Sequence, residues 1–157
     1  MSQMNKIQLI KATVSDIPTM QNLVAPEVES GLILIRTSDE IATNIRSYIL
    51  AKEDGELVGF CALHIHAPSL AEIRSLVVKE SKRGRRIGEN LIYKALDEAK
   101  TLGLQKVLSL TYKQSFFEKL GFVEIPKESL PEHKIWADCI KCKYFPICNE
   151  VSLIKTL

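Results

Sequence analysis

The chain has 157 residues, 46% of them hydrophobic and 25% charged, and a formal net charge of +2. That length and balance suit a single domain, residues 1–157, with one core, and argue against a disordered chain. The near-neutral charge speaks against nucleic acid as a partner, and no apolar run reaches the roughly 18 residues that a membrane span needs.

The N-terminal stretch MSQMNKIQLIKATVSD lacks the apolar block and cleavage site of a signal peptide, so a cytoplasmic location is expected. IQLIKATV reads as an opening strand. Ser15 and Asp16 are cap candidates for a helix through IPTMQNLVAPE, with Pro18 in its first turn. GLILIRT is an apolar connection, and Ser38 or Asp39 can cap a second helix, DEIATNIRSYIL. YILAKEDGELVGFCALHIH is a hairpin turned by Asp54-Gly55.

LAEIRSLVVK alternates and then becomes wholly apolar, as a central strand does. A helix follows, with Ile87, Leu91, Ile92, Ala95, Leu96 and Ala99 on one face and Gly103 just past its end. QKVLSLTY is a strand, KQSFFEKLGF a short helix closed by Gly121, and FVEIP and NEVSLIKTL the last strands. Residues 126–148 form an irregular, Cys-rich segment. The element order defines a mixed α/β fold with one sheet.

The passage from strand to helix at VVKESKRGRRIGENLI carries the chemistry. Five of the eight residues from Lys79 to Arg86 are basic, and Gly84 and Gly88 loosen the turn. A helix start offers free N–H groups and partial positive charge, and a glycine-containing turn lets an anion approach closely. Arg83, Arg85 and Arg86 add charge for a pyrophosphate. The spacing is neither a P-loop nor a three-glycine dinucleotide fingerprint.

This stretch resembles the acetyl-CoA signature of the GCN5-related N-acetyltransferases. Arg83 and Gly88 match the ends of that signature, and Arg86 stands where its middle glycine is usual. FFEKLGF is similar to the family's second motif, with Phe117 where tyrosine is common. The resemblance implies a mostly antiparallel mixed sheet, helices on both faces, and a central strand splayed from its neighbour around the thioester. It implies acetyl-CoA as co-substrate and a small-molecule amine as acceptor. Leu76, Val77 and Val78 would accompany the pantetheine arm. Arg83, Gly84, Arg85, Arg86, Ile87 and Gly88 would hold the pyrophosphate, with Asn90 and Phe117 on the far wall.

GLILIRTSDEI and LPEHKIWADCIKCKYFPICNEVSLIK resemble short N-acetylglutamate synthase-like members of the superfamily. That implies L-glutamate as acceptor and a place in arginine biosynthesis. A peptide amine or polyamine is the alternative acceptor, and an acyl-CoA sensor the non-enzymatic alternative. Glu72 is the candidate base, against a plain pairing with Arg74. Tyr112 is the candidate acid, since Phe117 has no hydroxyl. Arg36, Arg74 and Lys134 are candidate partners for acceptor carboxylates. A homodimer through the last strand is a default expectation.

Cytosolic cysteines are expected as thiols or metal ligands rather than disulfides. Cys139, Cys142 and Cys148 begin with a zinc-like C-x2-C spacing, but His133, or His64 or His66 from the hairpin, would have to complete the set. The competing reading packs these thiols as small apolar groups.

Overall fold

The computed structural model describes residues 6–126, 129 and 150–157. Strand β1 (Ile7–Lys11) is followed by helix α1 (Ile17–Glu29). Asp16 does not cap α1 with its side chain. Its Oδ2 instead accepts from the Thr13 N–H at 2.8 Å and the Thr13 hydroxyl at 3.1 Å. A 3-10 turn at Val14–Asp16 results, and it hands the chain into the helix.

Helix α2 (Ser38–Thr43) is capped by Thr37, not by Ser38 or Asp39. Thr37 Oγ1 accepts from the Glu40 N–H at 3.1 Å, and the Glu40 carboxylate accepts from the Thr37 N–H at 3.0 Å. This reciprocal pair is a capping box. The helix is shorter than its pattern suggests, because Tyr48, Ile49 and Leu50 are fully buried in strand β2 (Tyr48–Glu53). Burial of an aromatic and β-branched run in a sheet overrides its helical spacing.

Asp54 (φ 50°) and Gly55 (φ 84°) turn β2 into β3 (Glu56–Ala67). Two left-handed residues match the twist of the hairpin strands. The remaining elements are β4 (Leu70–Val78), α3 (Ile87–Thr101), β5 (Lys106–Thr111), α4 (Gln114–Lys119), β6 (Val123–Ile125) and β7 (Val151–Thr156). They join one sheet in the order β1-β2-β3-β4-β5-β7-β6, in which β4 and β5 form the parallel pair.

Each face of the sheet has its own core. On one, the predicted stripe of α3 packs on Ile49, Val58, Leu63 and Val107. Each buried leucine or isoleucine there contributes about 2 kcal/mol. On the other, Ile17 and Met20 of α1 and Ile41 of α2 pack on Leu50, Phe60 and Val77. The last strand cannot extend the sheet into a partner subunit, because β7 is flanked by β5 and β6. No helix among the described residues is long and apolar enough to cross a membrane.

Candidate active site

Parallel pairing between β4 and β5 covers only Leu70–Ile73 against Lys106–Ser109. Past Ile73 the two strands diverge. A cavity of about 340 Å³ opens there, walled by Ser75 and Leu76 of β4, Ser109 to Thr111 of β5, Phe117 of α4 and residues 31–34 of the loop after α1.

A bulge shapes the β4 wall. Phe60 pairs with Val77 and Ala62 with Arg74, so β4 carries one extra residue opposite β3. Ser75 takes a left-handed φ of 55° to accommodate it. A bulge withdraws backbone groups from the ladder and bends the strand. Gly59 belongs to the same distortion, since a Cβ there would lie 2.9 Å from the Val77 carbonyl.

The turn into α3 has the expected form. Gly84 (φ 82°) and Arg86 (φ 63°) are both left-handed. Arg86 therefore adopts the conformation for which glycine is the cheaper residue. The first intrahelical bond runs from the Asn90 N–H to the Arg86 carbonyl at 3.0 Å. The N–H groups of Ile87, Gly88 and Glu89 precede it and point out of the helix start. At Gly88 a Cβ would meet Val78 and Phe116 only at 3.5 and 3.6 Å, so the protein's own packing does not demand a bare position there.

The arginine side chains divide differently from expectation. Arg85 is bound by both oxygens of Glu53, at 3.2 and 2.5 Å, and Lys82 Nζ lies 2.8 Å from the same carboxylate. The side-chain hydrogen bond to Glu53 raises the Arg85 pKa. Its guanidinium thus staples the turn to the end of β2 instead of pointing at a phosphate. Arg83 reaches back over the cavity, donating to the Val78 carbonyl at 3.2 Å and lying 3.8 Å from Glu27 of α1. Arg86 is exposed. Asn90 is also exposed, and it stays outside the cavity wall because it lies off the buried stripe of α3.

Glu72 lines the cavity and is 3% exposed, so it is not a carboxylate at a wet edge. Its Oε1 lies 2.8 Å from His66 Nε2 and 3.2 Å from Arg74 Nε. Charge-assisted bonds of this kind offset the cost of taking a carboxylate out of water. Arg74 and Arg36 line the same cavity, and so does Tyr112, on its rim and 40% exposed. Phe117 is buried between Phe116 and Phe122, with ring centroids 5.1 Å from each. Leu76 and Val78 border the α3 core, whereas Val77 points into the α1 core.

Lys134, Cys139, Cys142 and Cys148 lie outside the described residues. Among the described residues no group of three or more metal-type side chains comes together. Cys61 is buried against α3, and burial pushes its thiol up to about 12. Two groups escape the sequence reading. Glu53 looks like an ordinary hairpin residue, and His66 is missed as the partner of Glu72, although HIHAPSLAE places both on one short hairpin.

A splayed sheet with a bulged central strand and an anion-receiving helix start can seat a phosphate-bearing co-substrate whose arm enters the gap between β4 and β5. A model of the acetyltransferase (GNAT) family matches residues 18–122. An uncharacterized N-acetyltransferase of Chlorobaculum tepidum is 35% identical over 146 residues, which cover 93% of this chain and 94% of that protein. The chain belongs to the GNAT family of N-acetyltransferases, and its co-substrate is acetyl-CoA.

An amino-acid acetyltransferase of Mycobacterium tuberculosis is 32% identical over 119 residues, which cover 73% of this chain and 67% of that protein. One of Pasteurella multocida is 30% identical over 125 residues, but the match spans only 28% of that longer protein. N-acetylglutamate synthase from Neisseria gonorrhoeae, solved with coenzyme A and N-acetyl-glutamate, has the same fold. Its TM-score is 0.88 at 24% identity, covering 99% of this chain and 36% of that one.

Proposed function

We propose that this enzyme acetylates the amine of a small acidic amino acid, L-glutamate foremost, in the manner of the first acetylation of arginine biosynthesis. The observation that carries this reading is the placement of Arg36 and Arg74 on the cavity that holds Glu72. An amino acid brings carboxylates that need cations near the group that handles its amine. The amino-acid acetyltransferases among the relatives support the same acceptor class.

Bound acetyl-CoA supplies an activated acetyl group on a good leaving thiolate. The residues of this chain do the rest. The N–H groups of Ile87, Gly88 and Glu89 receive the pyrophosphate. Backbone groups of Leu76 and Val78 pair with the pantetheine arm as an added strand would, and Arg83 gives up the Val78 carbonyl when that happens. The Leu76 N–H, beside the bulge and outside the register pairs of β4 with β3, donates to the thioester oxygen. Glu72 takes a proton from the incoming ammonium, directly or through water, and Tyr112 returns one to the thiolate.

The test is release of CoA from acetyl-CoA with L-glutamate, beside other amino acids, polyamines and peptides, with product followed by mass. Preferential turnover of glutamate is the expected result. Preferential turnover of a polyamine or a peptide overturns the acceptor. Tight acetyl-CoA binding without turnover of any amine leaves a sensor.

A further inference from the structure

We propose that His66 is a positioning residue for Glu72, holding the carboxylate through a hydrogen bond donated from Nε2. The inference rests on the reading of Glu72 as the base. His66 is the extra residue of a second bulge, because Ile65 pairs with Ala71 and Ala67 with Leu70. A bulge re-aims a side chain. The direct partner of Glu72 across the strands is His64, yet the contact goes to the bulged His66. Both side chains are sealed, His66 at 2% exposure and Glu72 at 3%. His66 is absent from the cavity wall that Glu72 lines, so it acts through the carboxylate and not on the substrate.

The geometry also fixes the tautomer. A guanidinium is always a donor, so Oε1 accepts from Arg74. An ionised carboxylate only accepts, so the hydrogen in the 2.8 Å contact sits on Nε2. In the transfer step the ammonium N–H bond breaks, an O–H bond forms on Glu72, and the electron pair stays on nitrogen for attack.

Several charged or titratable groups surround the pair. On β3, the His64 ring stands 4.8 Å from the His66 ring. On β4, Arg74 shares Oε1. A small polar pocket brings Arg36 and, from α2, Glu40 beside His64 and Arg74. Glu27 of α1, Arg83, Tyr112 and Lys113 after β5, and Glu150 before β7 line the main cavity together with Glu72.

The experiment is 15N NMR of the full chain labelled with 15N-histidine near neutral pH, with His66→Gln used for assignment. His66 should appear as the Nε2–H tautomer. An Nδ1–H tautomer overturns the proposal whether or not any amine is turned over. With an accepted amine, His66→Gln keeps a donor for Oε1, so its kcat should fall about ten-fold less than that of His66→Leu, with KM for acetyl-CoA unmoved in both. Equal losses in the two variants, with Glu72→Gln inactive, sink the role of His66 alone. Full activity of Glu72→Gln sinks the base reading as well.

Discussion

Glu53 at the end of β2 grips Arg85 with both carboxylate oxygens, and through that grip the hairpin holds the turn that opens α3. Lys82 adds a third bond to the same buried carboxylate, and Lys79, just past β4, pairs with Glu56 at the start of β3. Glu53→Gln removes the charge without changing the volume. Arg85 and Lys82 keep access to water, so stability should fall only by about 1 kcal/mol. The turn, however, loses its anchor, and KM for acetyl-CoA should rise about ten-fold with kcat little changed. A kcat loss at constant KM would show that the staple serves another step.

Arg86 holds a φ of 63° at the start of α3. Arg86→Gly should raise the unfolding free energy by about 1 kcal/mol, since it relieves a left-handed strain. Arg86→Val should lower it by about 1–2 kcal/mol, because a β-branched residue fits that region worst. Urea midpoints compare the two. Equal stabilities would mean that the turn does not hold this backbone in solution.

Arg36 tests the acceptor without touching the donor. Arg36→Glu should raise KM for glutamate by more than about ten-fold and leave KM for acetyl-CoA within about two-fold. An unchanged acceptor KM removes Arg36 from the acceptor site and takes with it the main support for an acidic substrate.

The parts of this protein written in local periodicity were legible in its sequence. The α3 stripe, the Asp54-Gly55 turn and the strand-to-helix passage after Val78 all stand where the residues place them. What could not be read depends on irregular register. Two bulges, one at Ser75 and one at His66, each add a residue to a strand, and no period-two pattern announces them. The first opens the β4 wall of the cavity, and the second aims His66 at Glu72. The arginines of the turn misled for a related reason. Their spacing fixes a basic cluster but not which guanidinium meets a carboxylate from β2 or α1.

Cys61 gives a chemical check on the α3 core. Burial raises its thiol to about 12, so almost none is thiolate at pH 8. Only the thiolate attacks a disulfide reagent. Peptide mapping after thiol labelling should find Cys61 unmodified in the folded protein and modified in urea. Labelling under native conditions would show that α3 lifts from the sheet.

Asp16 carries the clearest link between pH and stability. Burial alone would raise its carboxyl, but bonds from the Thr13 N–H, Lys52 and the Thr13 hydroxyl hold it below 3.8, the ordinary value. A lowered pKa in the fold means that the ionised form is the one the fold favours. Its contribution is therefore complete above about pH 4 and fades as pH falls through the lower folded value. Asp16→Asn should cost about 1 kcal/mol near neutral pH, since the carboxylate ties both the turn before α1 and Lys52 of β2. The gap between variant and wild type should narrow below pH 4 and close as the folded carboxyl is protonated. Urea unfolding across that range measures it directly. A gap that stays constant to pH 2 would assign the stability to the shape of the side chain rather than to its charge.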